Sequence, residues 1–332
     1  MPTFCRHNRF LANCPICGAE QTQAAAPRRP GVRSSGGPVT RKRVTRSSGR
    51  GGNDLRVRHV ARDADDGFRS RLVPGVKGSD AAGRLAQEIA LATARLAALA
   101  AAPMGLYAEV AQSADLEEAT WLAFLIAYLG PLEGEDPFAG VEAARTTWSS
   151  GALPQLDGVP LGLRTAHEPA RGTATLEAYR AWAARAGSQQ VAYAGEPAWT
   201  PERRFARAFE RLALPGLHRD ARFDLLVTLG QLGVYDLCAG ALQFGGTDET
   251  TIAAKRVFGI GDTLLLERRA ADLAAACKVP LAALDLALWN WSRPEPRVRP
   301  GIEPVPTRAT LGFADGEADV DAFARIGDAL GL

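Results

Sequence analysis

No uninterrupted apolar run in this chain reaches the roughly 18–20 residues of a membrane span. The N-terminus carries cysteines and arginines where a secretory leader would carry an apolar core. The expectation is a cytoplasmic protein with no membrane partner. Cysteine is sparse, five in 332 residues, which is too few to staple a fold of this length. Tyrosine, isoleucine and lysine are also scarce. No glycine-rich phosphate loop ending in Lys-Ser or Lys-Thr occurs, so no nucleotide cofactor is expected. Strand-like alternation is confined to Arg56-Val57-Arg58-His59-Val60, and no internal repeat appears.

What is abundant is alanine, leucine and arginine, and the charge is unevenly spread. Residues 1–62 hold 13 Lys+Arg against 2 Asp+Glu, while residues 63–332 hold 26 against 35. A net charge of +2 thus hides an arm of +11 and a body of −9. Such a split suggests a basic segment that meets a polyanion, joined to a separate folded body. The acidic body leaves room only for a local phosphate-binding surface, with long-range attraction left to the arm.

Within the arm, residues 1–20 carry Cys5, His7, Cys14 and Cys17, four soft or borderline ligands within thirteen residues. Thiolates and imidazole suit tetrahedral zinc, and Cys-x-x-Cys is the common two-ligand turn. We read the cluster as a small zinc knuckle or ribbon with Zn2+ in a structural role; redox or unpaired thiols are the rival. Residues 21–62 are rich in Arg, Gly, Ser, Pro and Thr with almost no large apolar side chains, so a disordered linker is expected there. Its arginines suit sequence-independent phosphate contacts, or merely keep a spacer hydrated.

From residue 63 to 332 the apolar spacing is helical and one all-α domain is expected. Periodicity predicts helices over 80–102, 115–129, 173–187, 201–214 and 222–242, the last with a break near Gly230 or Gly233. Residues 145–170, broken by Gly and Pro, read as a long loop or short irregular pieces. His167 and His218 stand alone, without metal spacing or a nucleophile motif, and read as structural.

The segment 247–291 carries the chemistry. One helix runs to about Val257, Gly259-Ile260-Gly261 turns the chain, and a second helix covers 263–278. Two glycines around an apolar residue make a sharp turn that can present N–H groups outward beside a helix N-terminus, where a phosphate oxygen would bind. Lys255 and Arg256 precede the turn and could touch phosphate or form a solvated face. Taken alone, a Gly-x-Gly turn is more often an ordinary corner. After Val279-Pro280, the run Leu281-Ala282-Ala283-Leu284-Asp285-Leu286 places one carboxylate among apolar residues. A buried aspartate is costly unless it has partners or a task; a helix cap or a satisfied core carboxylate is the rival reading. Trp289 lies close by and Trp121 sits on an earlier helix. Both are candidate walls for a base, or plain core.

The order of Gly-x-Gly hairpin, helix, proline, apolar run, aspartate and apolar helix resembles the helix-hairpin-helix DNA glycosylase superfamily. From Arg222-Phe223-Asp224-Leu225-Leu226 through Trp291 the chain is also similar to the alpha-glutamyl/putrescinyl-thymine pyrophosphorylase-like group, linked to hypermodified bases. The resemblance implies a DNA glycosylase-like hydrolase that excises a modified base, with foreign DNA as a target and the nucleoid as its place of work. Gly259, Ile260 and Gly261 would grip DNA, and Asp285 would be the catalytic carboxylate. Phe258 stands where such hairpins usually carry proline. Thr263 replaces the lysine of bifunctional members, which implies a monofunctional enzyme without a Schiff-base step. The alternatives are a non-enzymatic nucleic-acid-binding scaffold that reuses the hairpin, and an enzyme on free modified nucleotides.

Overall fold

In the computed structural model, residues 64–134, 136–293 and 317–332 are described, all within the unit Val60–Leu332. The regular elements among them are helices: α1 (Ser79–Ala101), α2 (Leu106–Gln112), α3 (Leu116–Leu129), α4 (Ala139–Ala144), α5 (Gly172–Ala186), α6 (Gln189–Ala194), α7 (Pro201–Arg211), α8 (Arg219–Gln231), α9 (Glu249–Phe258), α10 (Thr263–Cys277), α11 (Ala283–Trp291) and α12 (Glu317–Leu330). The body is all-α. No single helix among the described residues is long and apolar enough to cross a membrane; α1 and α2 combine sufficient length and apolar composition only as a pair bent by 45°.

Local chemistry sets most of the boundaries. Asp115 caps α3 by accepting from the N–H groups of Glu117 and Glu118 at 2.9 and 3.2 Å. Thr200 caps α7 through Arg203, with Pro201 in the first turn. Gly130, at φ 74°, ends α3 before Pro131. The long helix expected over 222–242 is shorter and starts earlier. His218 is extended and launches α8 at Arg219. After Gln231 the chain folds back so that Val234 and Tyr235 both donate to the Leu229 carbonyl. Three short helices, α2, α4 and α6, were not expected from the sequence; none is long enough to display two full turns of apolar spacing.

Two packing centres meet at α8. On one side α3 lays Trp121 and Phe124 against Tyr179 of α5, whose ring stacks on Phe124 at 3.8 Å between centroids, and Tyr128 stacks on the same Phe124. On the other side α11 lies against α1, where Asn290 donates to Glu88 at 3.0 Å and the Trp291 indole donates to the Ala81 carbonyl at 2.9 Å. Helix α8 packs on both α3 and α1, and α9 packs on α11.

The segment 145–171 is a loop, as its Gly and Pro content predicts. It is laid along the end of α3: Gly162 donates to the Leu129 carbonyl at 3.0 Å and Ala166 to the Tyr128 carbonyl at 2.9 Å. That path delivers Arg164 to the middle of the body.

Candidate functional site

Asp285 lies in the first turn of α11 and is 1% exposed. Both of its oxygens are taken: Arg164 donates to one and Arg219, from the first turn of α8, donates to the other. The same two arginines hold two carboxylates of α8. Arg164 donates to Asp224 at 2.8 Å, and Asp220 lies 3.0 Å from Arg219 and 3.6 Å from Arg164. Thr250 donates its hydroxyl to Asp220 at 3.2 Å. The cluster therefore alternates positive and negative charge, as ions removed from water must. Burial works against the Arg164 charge, yet Asp224, Asp285 and Asp220 together raise its pKa above the ordinary arginine value. Burial also opposes the charge on Asp220, but Arg164 and Arg219 outweigh it and lower its pKa. Asp224 goes the other way: burial, backed by Asp285 and Asp220, raises it despite Arg164 and Arg95.

Above this cluster opens a cavity of about 530 Å3. Its walls come from the Arg164 loop, the start of α8 from His218 to Arg222, the segment Gly245-Gly246-Thr247, the start of α9, and Trp289 and Arg293 at the end of α11. A second opening of about 460 Å3 shares Arg219, Arg222 and Gly245 with it and extends past Phe244 to Thr263 and Leu264 at the start of α10. The volume of the first falls within the roughly 300–1,000 Å3 range of small-molecule sites.

The wall segment 242–248 is positioned by its neighbours. Glu267 of α10 accepts from the N–H groups of Leu242 and Phe244, both at 2.7 Å. Gln243 sits in the left-handed region at φ 56°, sparsely populated by residues with a Cβ, and its carbonyl faces Arg219 Nε at 3.4 Å. Lys255 donates from Nζ to the Gly246 carbonyl at 3.0 Å.

Several sequence-predicted residues take places other than those expected. Asp285 does not line the cavity; Arg164 and Arg219 stand between. The carboxylate of the cluster that meets the cavity is Asp220. Trp289 reaches the wall, but Arg293 lies over its ring at 4.3 Å and Arg164 at 5.7 Å, so its faces serve guanidinium groups. Trp121 does not line this cavity. It is buried among Phe124, Trp148 and Tyr179, with its indole N–H donated to the Thr146 carbonyl at 2.9 Å. Lys255 holds the cavity wall, and the Arg256 guanidinium lies 4.9 Å over the Trp291 ring. Cys5, His7, Cys14 and Cys17, together with the basic linker, lie outside the described residues. Among the described residues no group of His, Cys, Asp and Glu is arranged to hold a metal.

The Gly259-Ile260-Gly261 turn joins α9 to α10. Gly259 takes φ 66° and closes α9 in a left-handed cap, with its N–H on the Lys255 carbonyl at 3.0 Å. Ile260 packs against the core, while Gly259 and Gly261 are exposed. The next helix start is already served by Asp262, whose carboxylate accepts from Leu265 N–H at 3.0 Å. That anion occupies the end of the helix dipole where a phosphate would bind. Behind the turn, Gly75 donates to the Val257 carbonyl at 2.9 Å, and a Cβ on Gly75 would fall inside the Arg256 carbonyl oxygen and 2.7 Å from Gly259 N. Gly75→Ala is expected to lift the turn from its seat and lower stability by about 1–3 kcal/mol. An unchanged urea midpoint would show that the backbone there yields freely.

No protein-family model matches the chain, and no curated protein or solved structure matches it. The site must be read from its own geometry.

Arg164, Asp220 and Arg219 were not singled out in the sequence. Arg164 sits in an irregular loop, and Arg219-Asp220-Ala221-Arg222 has the look of a solvated helix start. The one available signal was Asp285: a carboxylate in an apolar run demands cationic partners.

Proposed function

We propose that this chain is a DNA glycosylase-like hydrolase that takes one nucleotide into the α8–α11 cavity and cleaves its N-glycosidic bond. The observation that carries the reading is a cavity of nucleotide size walled by four arginines and by Asp220, with the Asp285 ion pairs directly beneath. Base excision passes through an oxocarbenium-like sugar, and a fixed carboxylate beside the sugar stabilises that cation and orients water. In this reading Asp220, which lines the cavity, takes that role, and Asp285 positions the two arginines that hold Asp220 as an anion. An extruded base needs planar partners, and Arg293, stacked on Trp289, offers one. The cleft extends to the start of α10, close in sequence to the Gly259–Gly261 turn; because Asp262 already occupies that helix end, the turn would meet backbone DNA through its exposed main chain and not through the helix dipole. In this reading the zinc knuckle and basic arm tether the acidic body to DNA.

The test is incubation of the full-length protein with duplex and single-stranded DNA carrying natural and bulky modified bases, scored for abasic sites. Asp220→Asn is expected to lower the rate by about 100-fold or more while the thermal melt stays cooperative. Wild-type activity in that variant, or no abasic site from any substrate, would overturn the assignment. A second reading, a nucleic-acid-binding scaffold without catalysis, draws on one observation: Asp220 and Asp285 are both already engaged by arginine. It predicts DNA binding with every base left in place.

A further inference from the structure

We infer that His218, on the wall of this cavity and held by Glu168, is the proton acceptor of the reaction, while Asp220 supplies only charge. The inference rests on the glycosidic cleavage proposed above and divides its chemistry between two residues.

An attacking water must lose a proton as its oxygen joins C1′ of the sugar. The group that takes it needs an uncommitted lone pair and a basicity suited to neutral solution. The carboxylates at the cavity do not offer both. Asp220 accepts from the Thr250 hydroxyl at 3.2 Å and lies 3.0 Å from Arg219 and 3.6 Å from Arg164. Burial opposes its charge, but those guanidinium groups outweigh burial and lower its pKa. It is thus a good neighbour for a cationic sugar and a poor base. Asp248 accepts on both oxygens from the N–H and hydroxyl of Thr251, at 2.8 and 2.7 Å, and Glu249 is paired with Arg293.

His218 is of a different kind. It lines the cavity two residues before Asp220. Its Nε2 lies 3.1 Å from Glu168 Oε1. A carboxylate can only accept, so Nε2 carries the proton, and in the neutral ring Nδ1 is left with its lone pair. Among the described residues nothing hydrogen-bonds to that Nδ1. The ring is not spent on the fold either. His218 is the N-cap of α8, yet its side chain makes no cap bond; its carbonyl accepts from Arg222 N–H at 3.1 Å. Glu168 is anchored in turn. Its carbonyl accepts from Arg171 N–H at 2.9 Å, and its Oε2 lies 3.7 Å from Arg171 Nε. A base whose tautomer is set by a carboxylate behind it is the arrangement that activates water or a hydroxyl. The charges around the ring are Glu168, Arg171 and Arg164 from the loop, Arg219, Asp220 and Arg222 from α8, Asp248 and Glu249 from α9, and Arg293 after α11. His218 and Glu168 lie 50 positions apart in the chain, so no motif announces the pair.

The step balances. The water proton passes to His218 Nδ1, the water oxygen bonds to C1′, and the C1′–N bond breaks with its electron pair leaving on the base. The imidazolium then gives its proton to that base, and the ring returns to its starting state.

Full-length wild type, His218→Ala and Glu168→Gln are compared in single turnover on the DNA that yields abasic sites in the assay above, from about pH 5 to 8. His218→Ala is expected to lose about 100-fold or more in rate with DNA affinity unchanged. Its urea midpoint should stay close to wild type, because the ring is half-exposed and caps nothing. Free imidazole should recover part of the rate in His218→Ala and none in Asp220→Asn. The wild-type rate should fall toward acid pH, and that fall should be absent from His218→Ala. Glu168→Gln should show an intermediate loss of rate at unchanged affinity. A His218→Ala rate equal to wild type overturns the inference and leaves the glycosylase reading standing. A loss that imidazole does not answer, or that comes with weaker DNA affinity, gives His218 a structural role and also overturns it. No abasic site from wild type on any of these DNAs removes the reaction, and this role with it.

Discussion

Asp285→Ala is expected to destabilise the body by about 3–5 kcal/mol, because it removes the most deeply buried anion shared by two buried guanidinium groups and leaves them only Asp220 and Asp224 as counter-charges. Asp285 fills both of its oxygens with Arg164 and Arg219, and each of those side chains is 5% exposed or less. Water cannot reach in to replace the carboxylate without opening the packing of α8 on α11. With total stabilities commonly about 5–15 kcal/mol, a loss of this size takes a large share of what holds the domain folded. Asp285→Asn keeps the shape and removes the charge, so it should show a smaller but clear loss. Urea denaturation checks both. A midpoint within error of wild type for Asp285→Ala would sink the claim that the three side chains act as one unit. The same result bears on enzymology: an inactive Asp285 variant is informative only with its folded fraction measured beside it, which is why Asp220, partly exposed at the cavity wall, is the cleaner chemical test.

Trp121→Ala is expected to cost a similar amount, about 3–5 kcal/mol, by a different mechanism. The ring is 1% exposed and lies 5.4–5.9 Å from the rings of Phe124, Trp148 and Tyr179, and the Arg180 guanidinium rests 4.9 Å above it. Removing it opens a large void between α3 and α5 and orphans the Thr146 carbonyl contact. Because Trp121 stands apart from the α8–α11 cavity, nucleotide affinity measured on the folded fraction should not change. A selective loss of ligand binding at unchanged stability would return Trp121 to the base pocket and contradict its place in the core.

The contrast between these residues shows what could be read in advance. Apolar spacing revealed α1, α3, α5, α7 and α10, because each repeats its pattern over several turns. The extent of α8 was not legible, since its start depends on an extended His218 and its end on the fold-back at Leu229, both tertiary effects. Asp285 stood out as a carboxylate where none belongs, and its burial follows from that. Its partners did not stand out, since Arg164 and Arg219 lie 121 and 66 positions away and belong to no motif. Trp121 and Trp289 looked alike in the sequence. Only the fold separates a ring stacked in the core from one that carries two guanidinium groups at a cavity wall.

The path of the 145–171 loop has a consequence for autonomy. Arg164 cannot be buried until α8 and α11 supply its anions, and Asp285 cannot be buried until the loop and α8 supply its cations. Each partner alone would favour water by several kcal/mol. Neither the aromatic layer around α3 nor the α1–α11 layer can therefore close its inner face by itself. The ion cluster works as a coincidence lock, making the two layers one cooperative unit, and a fragment cut between them would expose charge where the intact chain hides it.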